Sequence, residues 1–501
     1  MDTTTHPPTH ASPRPTGAEL LTRAHLVDAT APGMEGLALW LATRRLDITA
    51  SIPHAEQDSP AAARLRTAGV KVVVGFDAEH VQADRTAVVW SGATSGPLPE
   101  LDQAQALRLP VLTRALALTT LTGEQGPLVA VYGSHDTATA AAALAAVLDD
   151  GHTSWILTAA TQGGVPGQGI HGHRLVVDLC PDAGTHEAAS WSRLPRGPQP
   201  VPRAAPTVTL ITTATMNAPH FTDTIEALDA ATALARASAT VVLPLWDKGA
   251  KIVHERLSDH PGPAVVTVGL EETADVWVLP PRWLGTEYLL TLHHRGERHQ
   301  FTVPVAGRHH ALAVCAAIAT ALVVGEDPQA VAQRAGGFRG VIRSLAVLGA
   351  QAGVTVVDSR ARHPREIAQD VTAARMLTEG SVVVVLEPDG VARTSAHAAE
   401  IGAAVGDADR AVLLPVSTPL TEDAGPDPLE AVEQAALHRL GQGAVHRIRL
   451  GPCEPAPEQR IFEMTAEGDL VLVIGTGQAE RLGPRLLFHL AAPSMPIPQQ
   501  L

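Results

Sequence analysis

The residues with the clearest chemical possibilities stand in one run, Leu128-Val-Ala-Val-Tyr-Gly133-Ser134-His135-Asp136-Thr137-Ala138-Thr139, followed by four alanines and Leu144. It reads as a buried strand, a glycine-started turn and a helix opening on small hydroxyl residues. A turn of this layout presents backbone N–H groups and a helix N-terminus to an anion. Phosphate-binding loops add a Lys for the outer phosphates and a Ser or Thr hydroxyl for Mg²⁺. Where such a loop ends in Gly-Lys-Thr, this one has Asp136-Thr137-Ala138, so a carboxylate stands where a triphosphate needs a cation.

A second glycine turn, Val27-Asp28-Ala29-Thr30-Ala31-Pro32-Gly33-Met34-Glu35-Gly36, lies between a strand and an amphipathic helix near the start of the chain. Dinucleotide-type loops need several glycines so that the backbone can close on a pyrophosphate, and only Gly33 and Gly36 stand near this turn. Asp28 adds negative charge beside it. Further along, Gly307-Arg308-His309-His310 introduces an apolar helix at 311–324, and Val356-Val357-Asp358 closes a strand before Ser359-Arg360-Ala361-Arg362-His363-Pro364. The cysteines Cys180, Cys315 and Cys453 are far apart and lack metal-ligand spacing, which predicts free thiols in a reducing compartment.

The elements that must position these residues follow an α/β pattern. Strands are expected at 47–52, 70–75, 87–91, 154–158, 207–212, 241–245 and 381–386, separated by helical or turn segments. The 501 residues exceed one hydrophobic core. The reading is a leader at 1–20 and three units at 21–125, 126–333 and 334–501. The leader is rich in Thr, Pro and His without an apolar core, so it is expected to be disordered and neither signal nor anchor. Apolar residues make up 45% of the chain with only 3% aromatics, which suits Ala-rich helices on Val/Leu-rich parallel sheets. A net charge of −15 argues against nucleic acid and acidic membrane as partners. The 311–324 helix is shorter than the roughly 20 residues that span a bilayer. A soluble, cytoplasmic protein is expected.

Three such units, punctuated in this order, resemble the Mur ligase family, and within it the branch that joins L-alanine to UDP-N-acetylmuramate in peptidoglycan synthesis. The resemblance runs from about His25 to Gly477. It is carried by Gly33-Met34 with Gly36, Gly133-Ser134-His135, Gly307-Arg308-His309, Phe338-Arg-Gly-Val-Ile-Arg343, Asp358 with His363-Pro364, Arg393-Thr394 and the final Gly475-Thr-Gly477. It implies three domains: a Rossmann-like unit for a UDP-sugar, a P-loop-type ATPase unit for ATP with Mg²⁺, and a Rossmann-like unit that supplies the amino-acid site. The shared reaction phosphorylates a carboxylate to an acyl phosphate, which an amine then attacks, so it needs cations and positioned hydroxyls.

The resemblance implies ATP contacts at Gly133, Ser134, His135, Asp136, Thr137, Ala138, Thr139 and Arg308, and UDP-sugar contacts at Gly33, Met34 and Gly36. It implies metal ligands at Asp178 and His220, and catalytic roles for His220, His309, Arg343 and Asp358. Several family positions are altered. The loop lacks its Lys and Mg²⁺ hydroxyl, a Thr-Asn motif reads Thr213-Ala214, and the Asn before the long helix is His310. An Arg and an acid in the third unit read Ser344 and Ala346. One expectation is therefore a chain that keeps the folded shell, has lost efficient ligation, and acts by binding a UDP-sugar, another small anion or another Mur ligase, with no cofactor. The alternative is an active ATP- and Mg²⁺-dependent carboxylate–amine ligase. In that case His135, Asp178, His220 and His309 would make a reduced metal site suited to softer divalent ions.

Overall fold

The computed structural model describes residues 17–31, 33–91, 98–122, 127–133, 136–169, 174–179, 205–214, 224–258, 262–417, 427–448 and 456–491. Ser134, His135, Cys180, His220 and Cys453 lie outside them. The expected leader overlaps a short 3-10 helix, Gly17–Leu21, whose Leu20 and Leu21 are buried in the first core, so the globular part begins before residue 21.

Continuous runs of Val, Leu, Ile and Ala form strands buried on both faces, and these assemble into three sheets. The first sheet is fully parallel, in the order Lys71–Val74, Thr49–Ile52, Ala24–Val27, Ala87–Trp90, Val111–Thr113. The central sheet has ten strands. Its parallel heart runs Ala264–Gly269, Thr240–Pro244, Val208–Ile211, Leu128–Tyr132, Arg174–Asp178, Thr153–Ile156. Beyond Ala264–Gly269, strand Val276–Trp283 adds in parallel and Tyr288–His294 and Glu297–Val303 continue as antiparallel hairpins. The third sheet runs Ala346–Gln351, Val354–Ser359, Leu470–Ile474, Val382–Leu386, Arg410–Leu413, Val445–Arg447, with only its first pair antiparallel.

Two helices set the centre of the molecule. Thr137–Leu148 and Arg308–Val323 are both dominated by small Ala side chains and pack closely against each other over the central sheet. Small residues let the two axes approach, which brings the two N-termini together at the strand ends where α/β folds bind ligands. Helix Pro328–Gly337 runs across the expected 333/334 boundary and packs on Thr137–Leu148 and on strand Glu297–Val303. The chain then passes to the third unit along residues 340–342. There Gln162 N–H donates to Gly340 O and Ile342 N–H to Ala160 O, each at 3.0 Å. Among the described residues no helix is long and apolar enough to cross a membrane.

Candidate functional site

Strand Leu128–Tyr132 delivers the chain to Gly133, which sits so close to the neighbouring strand that an added Cβ would stand 2.0 Å from Thr212 Oγ1. Only glycine fits there. Helix Thr137–Leu148 then starts from Asp136, whose backbone is left-handed (φ 57°, ψ 0°). This is the conformation a loop Gly adopts freely, and Asp is among the few other residues that tolerate it. Thr137 is buried with its hydroxyl 3.3 Å from Thr212 Oγ1, and Thr139 is buried as well. Ala138 offers only a methyl group.

Facing the loop is the first turn of Arg308–Val323. His309 Nε2 lies 3.1 Å from Asp370 Oδ1, contributed by helix Pro364–Arg375 of the third unit, and His310 Nδ1 lies 2.9 Å from Ala306 O. The rings of His309 and His310 are 4.0 Å apart. Gly307 (φ 83°) leaves room for them, because a Cβ there would meet His309 Cε1 at 2.7 Å. Asp370 also accepts the Ser359 hydroxyl. Withdrawal from water pushes the Asp136 carboxyl up to about 6, with Glu366 and Asp370 pushing the same way and His309 and Arg365 opposing. Burial likewise pushes Asp370 up to about 6, against the pull of His310 and Ser359. The same burial holds His309 below its ordinary value and His310 down to about 3. At neutral pH this is a cluster of neutral imidazoles and carboxylates.

Asp136 and His309 line a cavity of about 220 Å³ together with Thr212, Thr213, Arg308 and Arg365. Arg365 lies 3.6 Å from buried Asp247 and is near enough to Asp136 to oppose the rise of its carboxyl. The cavity thus brings two guanidinium groups and the loop's own acid, Asp136, to one space.

Asp178, expected as a metal ligand, ends strand Arg174–Asp178 fully buried. Its Oδ2 accepts both the backbone N–H and the hydroxyl of Thr158. Burial pushes its carboxyl up, opposed by Thr158 and by the nearby cations Arg114 and Arg360. The three expected UDP-sugar positions have packing roles. Gly33 is the left-handed residue before helix Met34–Thr43, and its carbonyl accepts from Arg114 Nε at 3.0 Å. Met34 is fully buried, and a Cβ on Gly36 would meet Leu157 O at 2.4 Å, where the first unit touches the central one. Arg114, itself fully buried, also donates to Asp178 O at 3.2 Å and so ties the two units together.

The expected catalytic pair of the third unit is brought together. Arg343 donates to both Asp358 oxygens, at 2.8 and 3.2 Å, and to Gly475 O at 2.6 Å. Burial pushes the Asp358 carboxyl up while Arg343 pulls it down. The final glycine turn is filled by the chain's own carboxylate: Glu387 accepts from the backbone N–H of Gly477, Gln478 and Ala479.

Together these residues do not fit a Mg²⁺ triphosphate. At the loop an acid replaces the expected glycine, Thr137 turns inward where a Lys would reach out, and Ala138 has no hydroxyl. At Asp178 the carboxylate is engaged by Thr158 and neighboured by guanidinium groups. Sequence reasoning missed Arg114, Thr158 and Asp370. For Asp370 a signal existed: it shares the buried stripe of its helix with Ile367, Val371 and Ala374, an acid where the spacing calls for an apolar residue.

Comparison with known proteins agrees with this architecture. A family model described as "Mur ligase family, catalytic domain" matches residues 24–125, and one described as "Mur ligase, glutamate ligase domain" matches residues 345–477. UDP-N-acetylmuramate–L-alanine ligase of Thermobifida fusca is 32% identical over 488 residues, covering 94% of this chain and 98% of that protein. The protein of the same name from Kineococcus radiotolerans is 31% identical, covering 95% and 99%. Among solved structures, UDP-N-acetylmuramate-alanine ligase of Thermotoga maritima superposes with a TM-score of 0.74 at 19% identity, covering 94% of this chain and all of that one. A murein peptide ligase from Psychrobacter arcticus gives 0.66 at 15%, covering 94% and 98%. The solved structures establish a common fold, and with a 32% identical relative matched along nearly its full length the chain belongs to the Mur ligase family.

Proposed function

We infer that this chain is a Mur ligase homologue in which MgATP-driven ligation is impaired, and that it acts by binding, in the cytoplasm, a UDP-sugar or similar small anion, or another Mur ligase. The observation that carries this reading is Asp136: at the turn that should face the outer phosphates, a carboxylate stands beside neutral His309 and His310 and a second acid, Asp370. A single preorganised electrostatic group is commonly worth about 10²–10³ in rate. Losses within one site are not additive, so the product of such factors overstates the damage. The test is phosphate release from MgATP with UDP-N-acetylmuramate and L-alanine, the compounds for which the relatives are named. No release above the rate without enzyme is expected, and turnover at an ordinary enzymatic rate would overturn the reading.

One observation favours a second reading, an active ATP-dependent ligase of the cell wall or of another carboxylate and amine. Arg308 and Arg365 both line the cavity beside the loop, where they supply cations for phosphates. Release that depends on Arg308 would support it.

A further inference from the structure

Asp136, His309 and His310 each bring one potential ligand atom to the junction of the two Ala-rich helices, all within 4.8 Å of one another. Each imidazole is already oriented by an outer oxygen. With Nε2–H of His309 donating to Asp370 and Nδ1–H of His310 donating to Ala306 O, each ring keeps a lone pair on its other nitrogen. Metal-ligating histidines almost always carry this arrangement, a carboxylate or carbonyl on the far nitrogen. Asp370 is in turn held by Ser359. On the other side, Asp136 has a left-handed backbone at the helix start, which sets its carboxylate beside the two rings. The cluster opens on the 220 Å³ cavity through Asp136 and His309.

We propose that Asp136, His309 and His310 form a binding site for a borderline divalent cation, Zn²⁺ matching best, with Asp370 as the positioning residue for His309. Two imidazoles and one carboxylate suit Zn²⁺ far better than Mg²⁺, which prefers an all-oxygen shell. Ligand atoms around tetrahedral Zn²⁺ stand about 3.3 Å apart, so the cluster closes by at most about 1.5 Å on loading. Three protein ligands leave a fourth position, and the cavity supplies it with water or an anion. The dication balances the buried carboxylates and returns positive charge to a loop that has lost its Lys. None of this depends on whether ligation is lost.

The test uses the full-length, tag-free chain, stripped with a chelator and titrated with Zn²⁺ and, separately, Co²⁺. With 23 histidines in the chain, stoichiometry alone decides little, so the comparison is with H310N and D136N. One tight equivalent is expected in the wild type, weakened by more than about 100-fold in either variant, beyond the roughly 10–100-fold typical of an outer partner such as Asp370 in D370N. Co²⁺ should give the wild type the visible absorption of a nitrogen- and oxygen-ligated tetrahedral ion, a readout that needs no variant to fold. Equal Zn²⁺ affinity in folded H310N and D136N, or no Co²⁺ absorption in the wild type, overturns the site.

Discussion

At the residue scale, one position concentrates the chemistry. Asp136 is an acid with a left-handed backbone at the mouth of a phosphate-loop scaffold, and its carboxyl is pushed up to about 6 by burial. A carboxyl whose folded value exceeds its unfolded one, here 3.8, stabilises fully below that unfolded value and loses the contribution as pH rises through about 6. Asn at this position imitates the protonated form at every pH and keeps the left-handed backbone. In chelator-treated protein, D136N should therefore gain in Tm relative to wild type as pH rises from 4 to 8, measured by thermal melts across that range. His309, Glu366, Asp370 and Arg365 all face this group, so a flat difference would mean that they absorb the charge change. Arg343 gives a second expectation. Replacing it with Met strands the buried Asp358 carboxylate without its bidentate partner and should cost about 3 kcal/mol in a denaturant titration. The loop's ending in Asp136-Thr137-Ala138 was visible in the letters themselves. The partners of His309 were not, since Asp370 meets it only through the packing of two distant helices.

At the scale of elements, the strand and helix order was legible because each parallel strand is a short Val/Leu run between helical segments. Strand 382–386 and the helix beginning at Arg308 fall within a few residues of where periodicity puts them. The expectation for glycines was less complete. Gly33 and Gly36 were expected as UDP-sugar contacts, and the backbone oxygens of Leu157 and Pro166 are what a side chain at Gly36 would strike. Close approach between two units leaves no local periodicity, so it is silent in the sequence. Gly133 is the sharper case. Ala there would place a methyl against Thr212 Oγ1, and G133A should destabilise the chain by about 1–3 kcal/mol, checked by chemical denaturation. Pairing it with Thr212→Ala should recover part of the loss, which separates steric crowding from a general intolerance of the loop.

At the scale of the molecule, three α/β units are joined by specific polar contacts. Arg114 bridges the first unit to the second through Gly33 O and Asp178 O, and Asp370 bridges the third to the second through His309. Removing the Arg114 guanidinium, as in R114M, leaves two buried carbonyls without that donor and should cost about 1–3 kcal/mol, read as a lower Tm. The family's fold is held by contacts that do not require its reaction, and the proposal that MgATP-driven ligation is impaired rests on the loop ending in Asp136-Thr137-Ala138. The most direct measurement of that claim is calorimetric titration of the chain with MgATP, beside D136G/T137K/A138T, which restores the family loop. The expected result is no saturable binding of MgATP by the wild type tighter than about 1 mM, with a gain of at least about tenfold in the restored variant. Low-micromolar binding of MgATP by the wild-type chain would contradict it.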